Sequence, residues 1–307
     1  MLHYFSFNQY LKKIHNKKVW RIPLSTGYSC PNRISGRTGC TFCDGKSFLP
    51  FYLQENETLE KQIKKGIEAF SKRYNVKYFY GYFQENTNTY GPIDDLLKKY
   101  ETVLSLDNML GLIISTRPDY INPEIIKMID LLNKKYNKDI WLELGLQSVY
   151  DETLKRIDRN HTYNAFVEAV KICNDCNIKV TVHMIVGLPG ESVEMIKQGI
   201  KTLFNDNKIN GIKFRLLEII QGTKIEEDYI KNKIDFPEFD INSYCYLLCD
   251  LLEIIPVSVV IMRLLNAPSI KILCKNDTVV SKQQVLEKIN NELEKRGTEQ
   301  GFYSSKN

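Results

Sequence analysis

The chain has 307 residues, of which 43% are hydrophobic and 26% are charged, and its net charge is +5. These values are ordinary for a globular protein and sufficient for a sizeable core. No apolar run approaches the ~18 residues that span a bilayer, and residues 1–20 lack the apolar segment of a signal peptide. The sequence therefore predicts a cytoplasmic protein with no membrane partner, and its charge is compatible with a nucleic-acid partner.

Six strand-like segments alternate with amphipathic helical segments through the first two thirds of the chain. The predicted strands are Val19–Leu24, Val76–Phe83, Leu110–Ser115, Ile140–Leu146, Ile178–Val186 and Gly211–Ile219. The predicted helices are Leu59–Tyr74, Ile93–Leu104, Pro123–Lys134, Tyr163–Cys176 and Ser192–Phe204. This alternation predicts an α/β fold with a parallel sheet covered on both faces. The loops at the carboxyl ends of its strands are then expected to form the active site.

The alternation ends after Thr223, where a different pattern begins. A helical segment at Tyr244–Ile255, a strand-like run at Val257–Leu264 and an amphipathic segment at Ser281–Arg296 follow. We therefore predict a main domain over residues 1–225. Residues 226–307 are predicted to form an α+β extension that packs on it.

Three cysteines stand directly after the first predicted strand. Cys30, Cys40 and Cys43 form a C-x9-C-x2-C pattern, and the residues between them include Pro, Asn and Gly, which favour a loop. Reduced thiols are expected in the cytoplasm, so disulfides are disfavoured and metal binding, catalysis or core packing remain as roles for the cysteines. Three local thiolates leave one iron of a [4Fe–4S] cluster open to another ligand. The pattern thus points to a cluster that binds S-adenosylmethionine (SAM) and cleaves it reductively.

A structural zinc site is the alternative to a cluster. Such a site needs four ligands, and a second pair exists at Cys173 and Cys176. Helical spacing places that pair on one helix face, which favours packing over metal binding. Cys245, Cys249 and Cys274 are interpreted as small buried hydrophobes. A metal-stapled RNA-binding protein without radical chemistry therefore remains an alternative.

Several motifs occur in an order that identifies a family. They are Gly27–Arg33, Gly39–Asp44, Tyr82–Tyr90, Thr116–Asp119, Glu143–Ser148, Asp151–His161 and Gly187–Glu191. Together they resemble a bacterial radical SAM family of the YhcC and YtqA type, which is related to the catalytic subunit of Elongator. The resemblance covers most of the chain and weakens beyond the sixth strand. It implies a partial (β/α)6 barrel with the [4Fe–4S] cluster and SAM in its open mouth.

The resemblance also implies a set of SAM contacts. The residues at the matching positions are Gln84, Glu85, Asn86, Thr116, Gln147, Arg159 and His183. The first three are expected to meet the methionyl amino group, and Thr116 the methionyl or ribose part. Gln147 and Arg159 match SAM contacts in oxygen-independent coproporphyrinogen oxidases, where the guanidinium would pair with a carboxylate. His183 stands where those relatives carry an acidic ribose contact.

Structural interpretations of these residues remain open beside the functional ones. Gln84 and residues 86–88 can cap the loop or the following helix. Arg159 can form a surface ion pair with Asp151 or Glu152. His183 lies within a predicted strand, where it is equally explained as a core histidine with its hydrogen bonds satisfied.

Kinship with Elongator implies modification of the wobble-uridine side chain of tRNA. It also implies an electron donor such as flavodoxin or ferredoxin. The chain departs from the family where members carry His in the sixth strand, since it has Arg215 and Glu218. The family's H-R-L-T-G-D is replaced by Met262–Ala267. A small-molecule or protein substrate of the same radical chemistry is the alternative.

Overall fold

In the residues that the structure describes, seven parallel strands form one sheet whose spatial order is the order of the chain. The computed structural model describes residues 2–34, 36–44, 52–53, 57–231, 233, 237, 239–265 and 281–304. The strands are β1 Val19–Leu24, β2 Tyr78–Phe83, β3 Met109–Thr116, β4 Asp139–Gln147, β5 Lys179–Val186, β6 Gly211–Leu216 and β7 Val260–Arg263. In the described residues each strand pairs with its sequence neighbours, so the sheet is an open barrel with edges at β1 and β7.

Helices connect the strands and cover the outer face of the sheet. They are α1 Phe7–His15, α2 Leu59–Tyr74, α3 Ile93–Leu104, α4 Pro123–Tyr136, α5 Asp151–Arg156, α6 Tyr163–Asp175, α7 Val193–Asp206, α8 Lys224–Ile230, α9 Ile241–Ile254 and α10 Lys282–Arg296. Local signals set their ends: the Thr58 hydroxyl accepts from the Lys61 amide at the start of α2, and Asn75 ends that helix in the left-handed conformation. The predicted α/β fold is confirmed.

The first helix closes the amino-terminal end of the barrel. Phe7 and Tyr10 of α1 pack with Tyr80 and Trp141, which point to the inside of the sheet. The Tyr10 hydroxyl also donates to Asp139 Oδ2 at 2.9 Å. The interior is therefore sealed at the end where the strands begin, and its open end is where they finish.

The extension contributes a strand to the main sheet. β7 pairs with β6 through Gly211 and Val260, while α9 packs against α7 and α10. The sequence predicts six strands in the barrel, and the structure adds a seventh. The boundary at residue 226 stays a prediction. No helix in the described parts of the chain is long and apolar enough to cross a membrane.

Candidate active site

One cavity lies at the carboxyl ends of the strands, opposite the end that α1 closes. It encloses about 900 Å³ of space, part of it open to solvent. All ten predicted site residues line it: Cys30, Cys40, Cys43, Gln84, Glu85, Asn86, Thr116, Gln147, Arg159 and His183. They come from loops and strand ends spread over more than half of the chain. The predicted residues are thus brought together in one place.

The cysteine loop is anchored to the segment that follows α5. Buried Asn32 donates to the carbonyl of Asp158 at 2.9 Å and to Cys40 Sγ at 3.3 Å. The Thr41 amide donates to the carbonyl of Ile157 at 3.0 Å. These bonds hold Cys40 against residues 157–159, which are far away in sequence.

The thiols of the loop accept hydrogen bonds from neighbouring side chains. Cys40 Sγ accepts from Arg159 Nη1 at 3.5 Å in addition to Asn32, and Cys30 Sγ accepts from Thr87 Oγ1 at 3.4 Å. Donors aimed at sulfur stabilise thiolates and tune a bound cluster. Within the described ranges, no three Cys, His, Asp or Glu side chains converge closely enough to hold a single metal ion.

Four buried polar atoms at the cavity have no hydrogen-bond partner among the residues that the structure describes, and they test whether a polar cofactor fits. They are Glu85 Oε1, Arg117 Nη1, Gln147 Oε1 and His183 Nε2. Buried polar atoms are normally paired, so a cluster of orphans at one cavity indicates a missing ligand. SAM carries amino, carboxylate and hydroxyl groups that can form the missing hydrogen bonds with these atoms. The residues present therefore fit SAM beside a cluster held by the three thiols.

Gln147 shows backbone strain at this site. Its φ of +79° lies in the left-handed region, and the pairing between β4 and β5 shifts register between Gly145 and Gln147. A glutamine in this conformation is costly and occurs mainly where function requires it. At this irregularity the Gln147 side chain lines the cavity.

Asn88 fixes the loop that follows β2. Its Nδ2 donates to the carbonyls of Phe83 at 3.1 Å, Glu85 at 2.6 Å and Ser115 at 2.9 Å. The Thr89 and Thr116 hydroxyls share a hydrogen bond of 2.6 Å. The structural role in this loop thus belongs to Asn88, whereas residues 84–86 line the cavity.

Arg159 is buried, which makes the surface ion pair with Asp151 or Glu152 the wrong interpretation. Only 6% of Arg159 is exposed. Its Nε donates to the carbonyl of Gly145 at 3.2 Å, its Nη2 donates to the same oxygen, and its Nη1 reaches Cys40. One guanidinium therefore links β4 to the cysteine loop.

His183 lies on the inner face of β5 beside several cations. Burial, followed by the charges of Lys213 and Arg215, lowers its pKa well below the ordinary value, so the imidazole is neutral. Its Nε2 has no partner within the described residues. A core histidine with satisfied hydrogen bonds is therefore the wrong interpretation, and a role at the cavity is favoured.

The sequence interpretation missed a charged network inside the barrel. Lys213 and Glu143, on β6 and β4, form an ion pair of 2.7 Å with both side chains almost fully buried. Tyr82 and Ser115 also donate to the Glu143 carboxylate, each at 2.9 Å. Burial raises the pKa of Glu143, but Lys213 and these hydroxyls more than offset it, so the carboxylate is ionised. Inward alternation along each strand was the available signal.

Glu85 gives the site a pH-dependent stability. Burial raises its pKa from 4.5 to about 7. Because the unfolded carboxyl ionises at lower pH, folding loses stability as pH rises from about 4.5 to 7, and the loss is complete above that range. We expect Glu85→Gln to stabilise the cofactor-free chain at pH 8 by about 1–3 kcal/mol, and the gain to shrink towards pH 5.

Urea unfolding at pH 5 and pH 8 measures this effect. Glu68→Gln, on the exposed side of α2, is the matched control and should show no such pH dependence. A Glu85→Gln variant that is no more stable than the parent at pH 8 would contradict the assigned pKa.

Comparison with known families shows two matches along the chain. The model described as Radical SAM superfamily matches residues 24–203, and the model described as Radical_SAM C-terminal domain matches residues 209–295. The YtqA protein of Bacillus subtilis is 34% identical over 302 residues, which cover 98% of this chain and 92% of YtqA. The predicted resemblance is confirmed.

Two further matches concern the Elongator side of the resemblance. The tRNA uridine(34) acetyltransferase of Methanocaldococcus infernus is 35% identical over 121 residues, covering 38% of this chain and 22% of that protein. The solved structure of the Methanocaldococcus infernus Elp3 with an N-terminal deletion superposes with a TM-score of 0.65 at 19% identity. That superposition covers 92% of this chain and 64% of the other, and it shows a shared fold.

Proposed function

The chain belongs to the radical SAM superfamily, and we propose that it modifies the side chain of a wobble uridine in tRNA. It is a radical SAM enzyme whose cofactors are a [4Fe–4S] cluster and SAM. When bound, these cofactors supply a 5′-deoxyadenosyl radical that abstracts a hydrogen atom from an organic substrate. The convergence of ten predicted residues on one cavity carries the assignment of the site.

The proposed roles of the residues follow from their contacts. Cys30, Cys40 and Cys43 are the cluster ligands, and the donors around Cys40 orient its sulfur and stabilise the thiolate. Glu85 and Gln147, with their unpartnered oxygens, are acceptors for the amino group of SAM. The remaining predicted contacts, Gln84, Asn86, Thr116, Arg159 and His183, complete the surface on which SAM binds.

The tRNA substrate is supported by relatives and charge. A segment of 121 residues of this chain is 35% identical to a tRNA uridine(34) acetyltransferase. The net charge of +5 also suits an RNA partner. An electron donor such as flavodoxin or ferredoxin belongs to the same proposal, because the cluster must be reduced. A cytoplasmic location stays a prediction.

Mass spectrometry of tRNA nucleosides from a deletion strain tests the substrate. We expect one modified wobble uridine to be lost or replaced by its precursor. The parent gene should restore it, and a gene with Cys40→Ala should not. A wobble-uridine profile identical to that of the parent strain would remove the tRNA proposal and favour a small-molecule or protein substrate.

A further inference from the structure

The strand residues that line the cavity include more positive than negative side chains. Lys213, Arg215 and Arg263 line it, together with Glu143. Arg21 on β1 is close enough to Arg263 for the two charges to interact, but it does not line the cavity; its side chain is half-buried and its Nη1 is buried. Lys213 is buried and the three arginines are half-buried, so anionic partners stabilise them, because removing a charge from water is costly.

The available carboxylates are already used by two of these cations. Glu143 pairs with Lys213 at 2.7 Å and also accepts from the hydroxyls of Tyr82 and Ser115. Glu218 pairs with Arg215 at 3.2 Å. Each of these carboxylates is therefore in an ion pair with a cation other than Arg21 and Arg263, and the Glu143 charge acts on Arg21 only at longer range.

Arg21 and Arg263 remain without a carboxylate. In the described part of the chain no acidic side chain lies within ion-pair distance of either one. Arg21 Nη1 is buried without any hydrogen-bond partner, and the guanidinium only stacks on Phe7 and Tyr82 at 5.1 and 5.7 Å. Burial, followed by the charge of Arg263, lowers the pKa of Arg21. The charges of Arg21 and Arg263 thus repel each other, and Arg263 lines the open cavity.

We propose that the substrate of this cavity carries an anionic group, a carboxylate or a phosphate, which binds at Arg263, close to the charge of Arg21. An anion there replaces the repulsion with charge-assisted hydrogen bonds, for which guanidinium geometry is well suited. A nucleotide phosphate meets this requirement as well as a carboxylic acid does. The proposal rests on the proposed function, since it names the substrate class of the same site.

Isothermal titration calorimetry of the SAM-saturated holoenzyme tests the proposal. Saturation with SAM first prevents the probe from binding at the SAM carboxylate position. Inorganic phosphate and malonate are the two probes, and the one that binds more tightly distinguishes a phosphate from a carboxylate substrate. Arg263→Gln should raise the Kd of that probe at least ~tenfold, because a charged hydrogen-bond donor is lost.

Arg73→Gln is the matched control, since it removes the same charge from the exposed face of α2 and should leave the Kd unchanged. Arg21→Gln provides a second variant that should also weaken binding, and it decides the question if Arg263→Gln does not fold. Equal Kd values for the parent and the folded variants would overturn the proposal. Failure of the parent to bind either anion at about 10 mM would overturn it too.

The same preparation separates this proposal from the proposed function. If 5′-deoxyadenosine forms but neither anion binds, only the proposal of an anionic substrate is refuted. Anion binding that depends on Arg263, without any 5′-deoxyadenosine, keeps the anion site and removes the radical function.

Discussion

Replacing Cys40 with alanine is expected to abolish the cluster. Cys40 is buried, and its sulfur is the point at which Asn32 and Arg159 both donate. Loss of an outer-shell partner alone costs ~10–100-fold in metal affinity, and loss of the ligand itself should exceed that cost. The broad absorbance near ~400 nm and the iron content of anaerobically reconstituted protein measure the effect.

Cys176→Ala is the matched control for this experiment. Cys176 ends α6, where it packs at the edge of the outer core, and its neighbour Cys173 is completely buried there. Burial raises the pKa of Cys173 to about 12, which makes that thiol a poor metal ligand at neutral pH. The control should keep its iron. Retention of iron by Cys40→Ala but not by Cys176→Ala would contradict the ligand assignment.

The Glu143–Lys213 ion pair is expected to dominate the stability of the barrel interior. Removing one partner leaves the other charge buried, which typically costs 3–5 kcal/mol, whereas replacing both with apolar residues is often nearly neutral. We therefore expect Glu143→Leu and Lys213→Met each to lower the free energy of unfolding by about 3–5 kcal/mol. Urea unfolding of the cofactor-free protein measures these values.

The double variant provides the control for that prediction. If the charges stabilise each other, the combined loss is smaller than the two single losses added together. The Tyr82 and Ser115 hydroxyls lose an acceptor in the double variant, so part of the loss should remain. Strict additivity of the two substitutions would show that the pair is not coupled.

The fold could be predicted from the sequence to a large extent because its periodicity is strong. The helices at Leu59–Tyr74 and Ile93–Leu104 have the predicted bounds, and β1 does as well. The short helix α1 escaped prediction because its role is visible only in three dimensions. Phe7 and Tyr10 contact residues of β2 and β4 that are more than 60 positions away. The short, polar helices α5 and α8 likewise show too little hydrophobic periodicity to be predicted from the sequence.

The site divides in the same way. The cysteine loop and the polar loops after β2 and β4 lie on contiguous motifs, so the sequence predicts them and the structure brings them together. The cations inside the barrel are separated widely along the chain, from Arg21 on β1 to Arg263 on β7. Only the closure of the sheet places them near one another.

Asn266, Ala267 and Cys274 lie outside the described residues.

Formation of 5′-deoxyadenosine tests the central claim most directly. The parent protein, reconstituted anaerobically with iron and sulfide and reduced with dithionite, should convert SAM into 5′-deoxyadenosine, and the Cys40→Ala variant should form none. A colourless protein that retains zinc and leaves SAM intact under these conditions would contradict the claim.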